Sequence, residues 1–191
     1  MGQRLVVSVI KDEERIAAMY FHWSAYTKSA LWEAQRIIDA INNSKNDDLR
    51  LTLIRYCEEN GGCIDGGGDS KEFEAIQEMY PNEIFKEYGS RNEGLIALTE
   101  DGMNDLEGWS EGDLEIDLDN GFVYNYVYSG YETIDDYNDC METKCTLEDF
   151  PLLNIDICKI EFDKLDYMIH QLDNLPFTIR NSDNEIICLI A

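Results

Sequence analysis

The stretch from Asp113 to Tyr128, DLEIDLDNGFVYNYVY, constrains the fold more than any other part of the chain. Acidic and aliphatic residues alternate from Asp113 to Asp119, which is typical of a strand with one buried face, and Asn120-Gly121 is a strong signal for a tight turn. The pattern predicts an acidic β-hairpin over residues 113–128. A two-residue loop would place Asp119 opposite Phe122, Asp117 opposite Tyr124, Glu115 opposite Tyr126 and Asp113 opposite Tyr128.

The two faces of this predicted hairpin differ in chemistry. One face is apolar except for Asn125, with Leu114, Ile116, Leu118, Val123 and Val127. The other sets carboxylates beside aromatic rings and carries Asp113, Glu115, Asp117, Asp119, Tyr124, Tyr126 and Tyr128. Carboxylates two residues apart on a strand recur about every 6.7 Å, which is roughly twice the 3.4 Å rise per phosphate along one DNA strand. The acidic face therefore resembles the charge pattern of nucleic acid.

Negative charge is a regional property of this chain. The net charge is −25, yet residues 1–56 are roughly neutral, with eight Lys/Arg and seven Asp/Glu, whereas residues 57–191 are strongly acidic. Such a field repels nucleic acid and membranes and attracts basic partners. The acidic stretch 129–149 adds Asp135, Asp136 and Asp139 as candidate contacts. An acidic surface also keeps proteins apart in concentrated solution, so charge alone does not identify a partner.

The whole chain reads as a single α+β domain, 1–191, with a mainly antiparallel sheet and three to five helices. Strand runs and helix runs are clustered rather than alternating, which favours this class. The predicted elements are a hairpin over 3–23, helices at about 24–43, 47–60, 69–79, 99–109 and 162–172, strands at 94–99 and 152–158, and a hairpin around 181–184.

A second candidate site is the polar-aromatic cluster from Tyr20 to Thr27, YFHWSAYT, at a strand-to-helix junction. In a nucleophile interpretation, Ser24 or Thr27 attacks and His22 is the base. Neighbouring residues on a strand point to opposite faces, however, and no orienting acid is evident. The alternative is that Ser24 or Thr27 caps the helix while His22 and Trp23 pack.

No catalytic residue, metal ligand set or cofactor is predicted. Cys57 and Cys63, like Cys140 and Cys145, lack the CxxC spacing of a zinc knuckle. The 117–121 segment opens like a calcium loop, but Tyr128 stands where the bidentate glutamate is required. No apolar run is long enough to span a membrane, and the six cysteines are expected to be reduced thiols. Arg91 is expected to pair with an internal carboxylate.

Three segments resemble a group of small acidic proteins of Gram-positive phages and integrated mobile elements. They are the opening MGQRL, the YFHWSAYT cluster at 20–27 and RNEGLIAL at 91–98, and the likeness covers about half of the chain. The group includes anti-CRISPR proteins that act on type II-A Cas9, some of which mimic DNA. The resemblance implies a role in counter-defence and a location in the cytoplasm of the host bacterium.

These observations lead to a hypothesis and an alternative. In the first, the protein inhibits a defence nuclease, with Cas9 or its guide-RNA complex as the expected partner, by occupying a basic nucleic-acid or PAM-reading groove. The tyrosines add rings on which arginines can stack. In the alternative, the Tyr20–Thr27 cluster belongs to a small enzyme or a nucleotide-binding sponge that acts on a defence-signalling nucleotide. The oligomeric state is left open.

Overall fold

The computed structural model describes residues 3–127, 144, 158–172, 179–180 and 186–188. Within these residues the chain forms five helices and nine strands, so the predicted number of helices is confirmed. In chain order they are β1 Leu5–Lys11, β2 Glu14–Phe21, α1 Thr27–Asn43, α2 Leu49–Glu59, β3 Cys63–Ile64, α3 Lys71–Met79, β4 Leu95–Ala97, α4 Glu100–Glu107, β5 Gly112–Asp117, β6 Phe122–Val127, β7 Lys159–Glu161, α5 Phe162–Leu172, β8 Ile179–Arg180 and β9 Ile186–Cys188.

Seven strands form one sheet in the order β3-β4-β2-β1-β5-β6-β7, and β8 pairs with β9 in a separate antiparallel ribbon. Within the large sheet, β1 pairs with β5 and β3 with β4 in parallel, while the other four neighbouring pairs are antiparallel. The predicted α+β class is confirmed. The sheet is mixed, with antiparallel pairs in the majority. The predicted strand at 152–158 lies almost wholly outside the described residues.

Strand β1 runs through the middle of the hydrophobic core. Its side chains are buried on both faces of the sheet, with Leu5, Val7 and Val9 on one face and Val6 on the other. Helices α1, α2 and α5 cover the first face, and α4 packs on β2 and β4 on the second face. None of the helices in the described residues has the length and apolar character needed to cross a membrane.

The start of α3 differs from the prediction. The helix was predicted from residue 69, but it begins at Lys71 with Ser70 as its N-cap, whose hydroxyl accepts the N–H of Phe73 at 2.9 Å. The side chain of Glu72 turns away from the cap and is buried, where it accepts the backbone N–H groups of Leu98 and Thr99. Glu72 therefore joins α3 to the start of α4.

The acidic hairpin forms, but its predicted register is wrong by two residues. Strand β5 places Asp113 opposite Tyr126, Glu115 opposite Tyr124 and Asp117 opposite Phe122, and the loop is four residues long, 118–121. Because side chains alternate with a period of two, this shift leaves both faces unchanged. The predicted apolar face is buried against α1 and α5, with Leu114, Ile116, Val123 and Val127 in the core.

The side chain of Asp117 explains the longer loop. Its carboxylate accepts the backbone N–H groups of Asp119 and Asn120, each at 3.0 Å, and the side-chain amide of Asn120 at 2.8 Å. Gly121 closes the turn in the left-handed region, with φ +73°. An aspartate that binds the backbone two and three residues ahead organises its own turn. The alternation of acidic and aliphatic residues along the strand does not indicate this interaction, so the longer loop was not predicted.

Replacement of Asp117 with alanine is expected to lower the free energy of unfolding by about 1–3 kcal/mol, because two backbone donors and one amide lose their acceptor. Urea denaturation at pH 7 measures this loss. Asp113→Ala is the matched control, since it removes the same charge from an exposed position on the same strand, and it should change stability by no more than about 0.5 kcal/mol. Equal stability of the two variants would contradict the assigned role of Asp117.

Candidate partner-binding surface

The sheet presents an acidic–aromatic face, which we define as Asp113, Glu115 and Asp117 of β5, Phe122, Tyr124 and Tyr126 of β6, and Lys159 of β7. The alternate residues of these strands are buried beneath α1 and α5, so this face lies on the side of the sheet that carries α4. Among the strands, helix α4 makes its main contacts with β2 and β4. On the acidic–aromatic face, Asp113 and Tyr126 are exposed.

Two of the four predicted binding carboxylates on the strand are engaged within the protein. Asp117 is buried and holds the turn. Asp119 accepts the ammonium of Lys11 at 2.5 Å and the backbone N–H of Glu13 at 3.0 Å. These contacts join the tip of the acidic hairpin to the tip of the β1–β2 hairpin. Asp117 and Asp119 therefore already have partners within the protein, and their contact with another molecule stays a prediction.

The Asp119 contact also stabilises an unusual turn. Asp12 and Glu13 both lie in the left-handed region, with φ +55° and +64°, a conformation that favours glycine. The Asp119 carboxylate satisfies the backbone donor of Glu13 at this point. The hydrogen bond from Lys11, followed by the bond from Glu13, lowers the pKa of Asp119 from its ordinary value.

Glu115 and Asp113 remain as candidate contacts. Glu115 is half-buried, and its pKa is raised by burial and then by the neighbouring charge of Asp117. Asp113 is exposed and forms no hydrogen bond or ion pair with the rest of the described chain. Tyr126 lies directly opposite Asp113, and half of its surface is exposed. Asp113 and Tyr126 thus offer an open carboxylate beside an open ring.

The aromatic part of the face already holds a cation. The ammonium of Lys159 lies 4.1 Å from the ring centroid of Phe122 and 5.4 Å from that of Tyr124. Lys159 stands opposite Tyr124 on the edge strand β7. A cation within about 6 Å of a ring centroid is attracted by the negative face of the ring. The face therefore has the geometry that binds lysine and arginine side chains.

The remaining predicted contacts fall on parts of the chain beyond this description. Tyr128, Asp135, Asp136 and Asp139 all lie outside the described residues. The acidic stretch 129–149 is thus represented in the structure by Lys144 alone.

The Tyr20–Thr27 cluster adopts a different arrangement from the nucleophile interpretation. The partner of His22 is Tyr20, whose hydroxyl lies 2.7 Å from Nδ1 of the imidazole. Thr27 is fully buried as the first residue of α1, and within the described residues its hydroxyl has no hydrogen-bond partner. Tyr26 occupies the N-cap without a side-chain hydrogen bond, so neither Ser24 nor Thr27 caps the helix as predicted. His22 and Trp23 do pack, edge to face at 4.8 Å.

A stacked arginine lies beside this cluster. The guanidinium of Arg91 lies 4.7 Å from the ring centroid of Trp109, and Trp109 meets Tyr20 edge to face. Arg91 is exposed, and the expected internal salt bridge is not found among the described residues. No sequence pattern predicts this pair, because Arg91 precedes β4 and Trp109 follows α4.

The structure also places the two candidate clusters on one surface. Tyr20 of β2 and Asp113 of β5 are both opposite Val6 of the strand between them. Strands in a sheet are about 4.8 Å apart, so the backbones of Tyr20 and Asp113 are about 10 Å apart. Both side chains point to the α4 side of the sheet. The aromatic cluster and the acidic–aromatic face are therefore neighbours.

Other groups of polar residues have structural roles or lack the geometry of a site. A cavity of about 690 Å³ between α3 and α4 contains Glu72, whose carboxylate already binds the backbone at the start of α4. Among the described residues, no three His, Cys, Asp or Glu side chains are arranged to hold a metal ion. Burial raises the pKa of Cys57 to about 12, which makes this thiol unreactive.

Comparison of the chain with protein-family models, with characterised proteins and with solved structures finds no match. A functional assignment therefore depends on the chemistry of the surface itself.

The Asp119 contact predicts a specific pH dependence of stability. Because its pKa is lower in the folded protein, its stabilising effect is present above the ordinary aspartate pKa of about 4 and is lost as the pH falls through the folded value. The stability difference between the wild type and Asp119→Asn should therefore be full at pH 7 and shrink below about pH 4. Urea denaturation across this range measures it. Lys11→Met should remove much of the same pH-dependent difference, whereas a difference that stays constant with pH would contradict the contact.

Proposed function

We propose that this protein inhibits a bacterial defence nuclease, with Cas9 or its guide-RNA complex as the leading partner. In this proposal, the acidic–aromatic face enters a basic groove that otherwise holds nucleic acid or reads the PAM. The observation that carries the proposal is Lys159, whose ammonium lies over the rings of Phe122 and Tyr124. A surface that holds its own lysine in this way is suited to the lysines and arginines of such a groove.

The net charge of the protein also favours binding to a basic partner. The chain carries 40 acidic and 15 basic residues. Electrostatic steering therefore accelerates encounters with a basic partner and opposes encounters with nucleic acid. Binding is expected to weaken steeply as salt is raised, because charged groups on an exposed face are screened over about 10 Å at 0.1 M salt.

The internal hydrogen bonds of the face limit which carboxylates can imitate DNA phosphates in this proposal. Asp117 and Asp119 are engaged in the turn and in the Lys11 contact, so only Asp113 and Glu115 keep the two-residue spacing of carboxylates on an accessible strand. The aromatic rings beside them supply the remaining affinity for cations. Mimicry in the proposal therefore rests on two carboxylates and three rings rather than on a row of four carboxylates.

The proposal predicts that Asp113→Lys combined with Tyr126→Ala weakens inhibition by tenfold to hundredfold. Removing a charge partner and an aromatic contact at an interface centre costs about 1.4–2.8 kcal/mol. The measurement is DNA cleavage by a purified type II-A Cas9–guide complex, together with binding at low and high salt. Thermal unfolding checks that the variant is folded.

Matched controls separate this face from overall charge and overall aromatic content. Glu78→Lys makes the same charge change on the exposed side of α3, and Tyr167→Ala removes an exposed ring from α5. Both controls should inhibit like the wild type. Wild-type protein that fails to bind the complex at low salt, or a double variant that inhibits as well as the wild type, would refute the proposal.

A second candidate function is nucleotide binding at the aromatic cluster, which is favoured by Arg91, a cation with no ion pair among the described residues. Its guanidinium is held on Trp109, and Trp23 and Trp109 are 53% and 42% exposed. Arg91 suits a phosphate, and an exposed indole suits a base. His22 adds a donor, because a Tyr20 hydroxyl that donates to Nδ1 leaves the hydrogen of the neutral imidazole on Nε2.

Titration with AMP, followed by tryptophan fluorescence, tests this second function. AMP should quench the fluorescence saturably, and Arg91→Ala should weaken binding by about tenfold, because a charged hydrogen bond to phosphate is lost. Arg50→Ala is the charge-matched control on α2 and should leave binding unchanged. The absence of saturable quenching up to about 1 mM AMP, or equal binding by Arg91→Ala, would exclude the nucleotide site.

A further inference from the structure

Strand β6 carries three aromatic rings on the acidic–aromatic face, at every second residue. Phe122, Tyr124 and Tyr126 follow one another at the strand repeat of about 6.8 Å, and the ring centroids of Phe122 and Tyr124 are 6.2 Å apart. Such a row offers cations more than one place to bind.

The first place is filled from within the chain. Lys159 reaches across from the edge strand and lies over Phe122 and Tyr124, at 4.1 Å and 5.4 Å from their centroids. Acidic residues greatly outnumber basic ones in this chain. Even so, the ammonium of Lys159 forms no ion pair with a carboxylate in the described residues. The rings are thus the main contact of this cation.

The second place has no cation among the described residues. Tyr126 is half exposed, and directly across from it lies Asp113, whose carboxylate has no partner in this part of the chain. A cation placed here gains a ring and a charge together. From the strand repeat, this open place lies about 10 Å from the midpoint of the two rings that Lys159 covers.

We propose that the face receives two cationic side chains of the partner, about 10 Å apart, and that Lys159 competes with one of them. One side chain binds at Tyr126 and Asp113, and the other binds over Phe122 and Tyr124 once Lys159 moves aside. Arginine is favoured over lysine at both places, because a guanidinium stacks on rings and is less strongly hydrated than an ammonium. This inference rests on the proposed function and specifies the partner's chemistry.

A hexaarginine peptide, titrated by calorimetry at low salt, tests the competition directly. Lys159→Met should bind the peptide about twofold to fivefold more tightly than the wild type, which corresponds to release of one exposed cation–π contact. Any loss of a lysine also makes the protein more acidic, so Lys71→Met on α3 is the control for charge. The readout is the difference between the two variants. Equal affinities of Lys159→Met and Lys71→Met would overturn the inference.

Two further measurements test the details of the proposal. Lys159→Arg keeps the charge and should bind hexaarginine more weakly than the wild type, because a guanidinium holds the rings more firmly. Hexalysine should bind the wild type more weakly than hexaarginine. A Lys159→Arg variant that binds more tightly than the wild type, or a preference for hexalysine, would overturn the inference. Thermal unfolding checks that every variant is folded.

The outcomes also separate this inference from the proposed function. If wild-type protein binds hexaarginine and inhibits the nuclease, but Lys159→Met behaves like Lys71→Met, the displacement of Lys159 is refuted and the proposed function stands. If wild-type protein binds neither hexaarginine nor the nuclease complex, the cation-binding face itself is refuted, and both proposals fall together.

Discussion

The parallel pairing of β1 with β5 is the interaction on which the rest of the structure depends. It joins Leu5–Lys11, in the roughly neutral part of the chain, to Gly112–Asp117, in the acidic part. Strand β1 is buried on both sides, so it can pair centrally without presenting an edge to solvent. Once β1 and β5 pair, the acidic hairpin extends the sheet outward, and its carboxylates take the side opposite α1 and α5. The position of the acidic–aromatic face follows from this one pairing.

Sequence patterns predicted the individual helices and strands well, because burial of one face and helix capping depend on residues that are close in sequence. The period-two alternation identified which residues of β5 and β6 face the core, and the capping residue Thr99 identified the start of α4. Alternation does not identify the neighbour of a strand, so the pairing of β1 with β5 had no signal in the sequence. The hairpin register was missed for a related reason, since the Asp117 side chain reshapes its own turn. A two-residue error in register leaves each side chain on its predicted face of the sheet. The composition of the acidic–aromatic face on β5 and β6 was therefore predicted correctly although the loop length was wrong.

The sequence patterns predicted which residues share a face of the sheet, but not which of their side chains lack a partner within the protein. A carboxylate on a predicted strand looks the same whether it meets solvent or an internal partner. Asp119 is engaged by Lys11, which is 108 residues away in sequence, and the rings of β6 are engaged by Lys159 from another strand. Arg91 and Trp109 likewise meet only because β4 and α4 pack together. Such long-range contacts decide which side chains remain open to a partner, and they depend on tertiary structure.

Basic residues are scarce in this chain, so the contacts that each lysine and arginine makes are informative. With 15 basic side chains for 40 acidic ones, carboxylates far outnumber the cations that can pair with them, so the placement of each cation is informative about the fold. Several cations secure junctions between elements: Lys11 joins two hairpin tips, and Arg15 binds Glu107 of α4. Lys159, on the edge strand β7, forms no ion pair in the described residues and instead lies over the rings of Phe122 and Tyr124 on β6. The contact joins β7 to a strand with which it is already paired, so the proposed displacement of Lys159 by a partner's cation breaks no ion pair in the described residues. In the same proposal, the second cation gives Asp113 a counter-charge that this part of the chain does not supply.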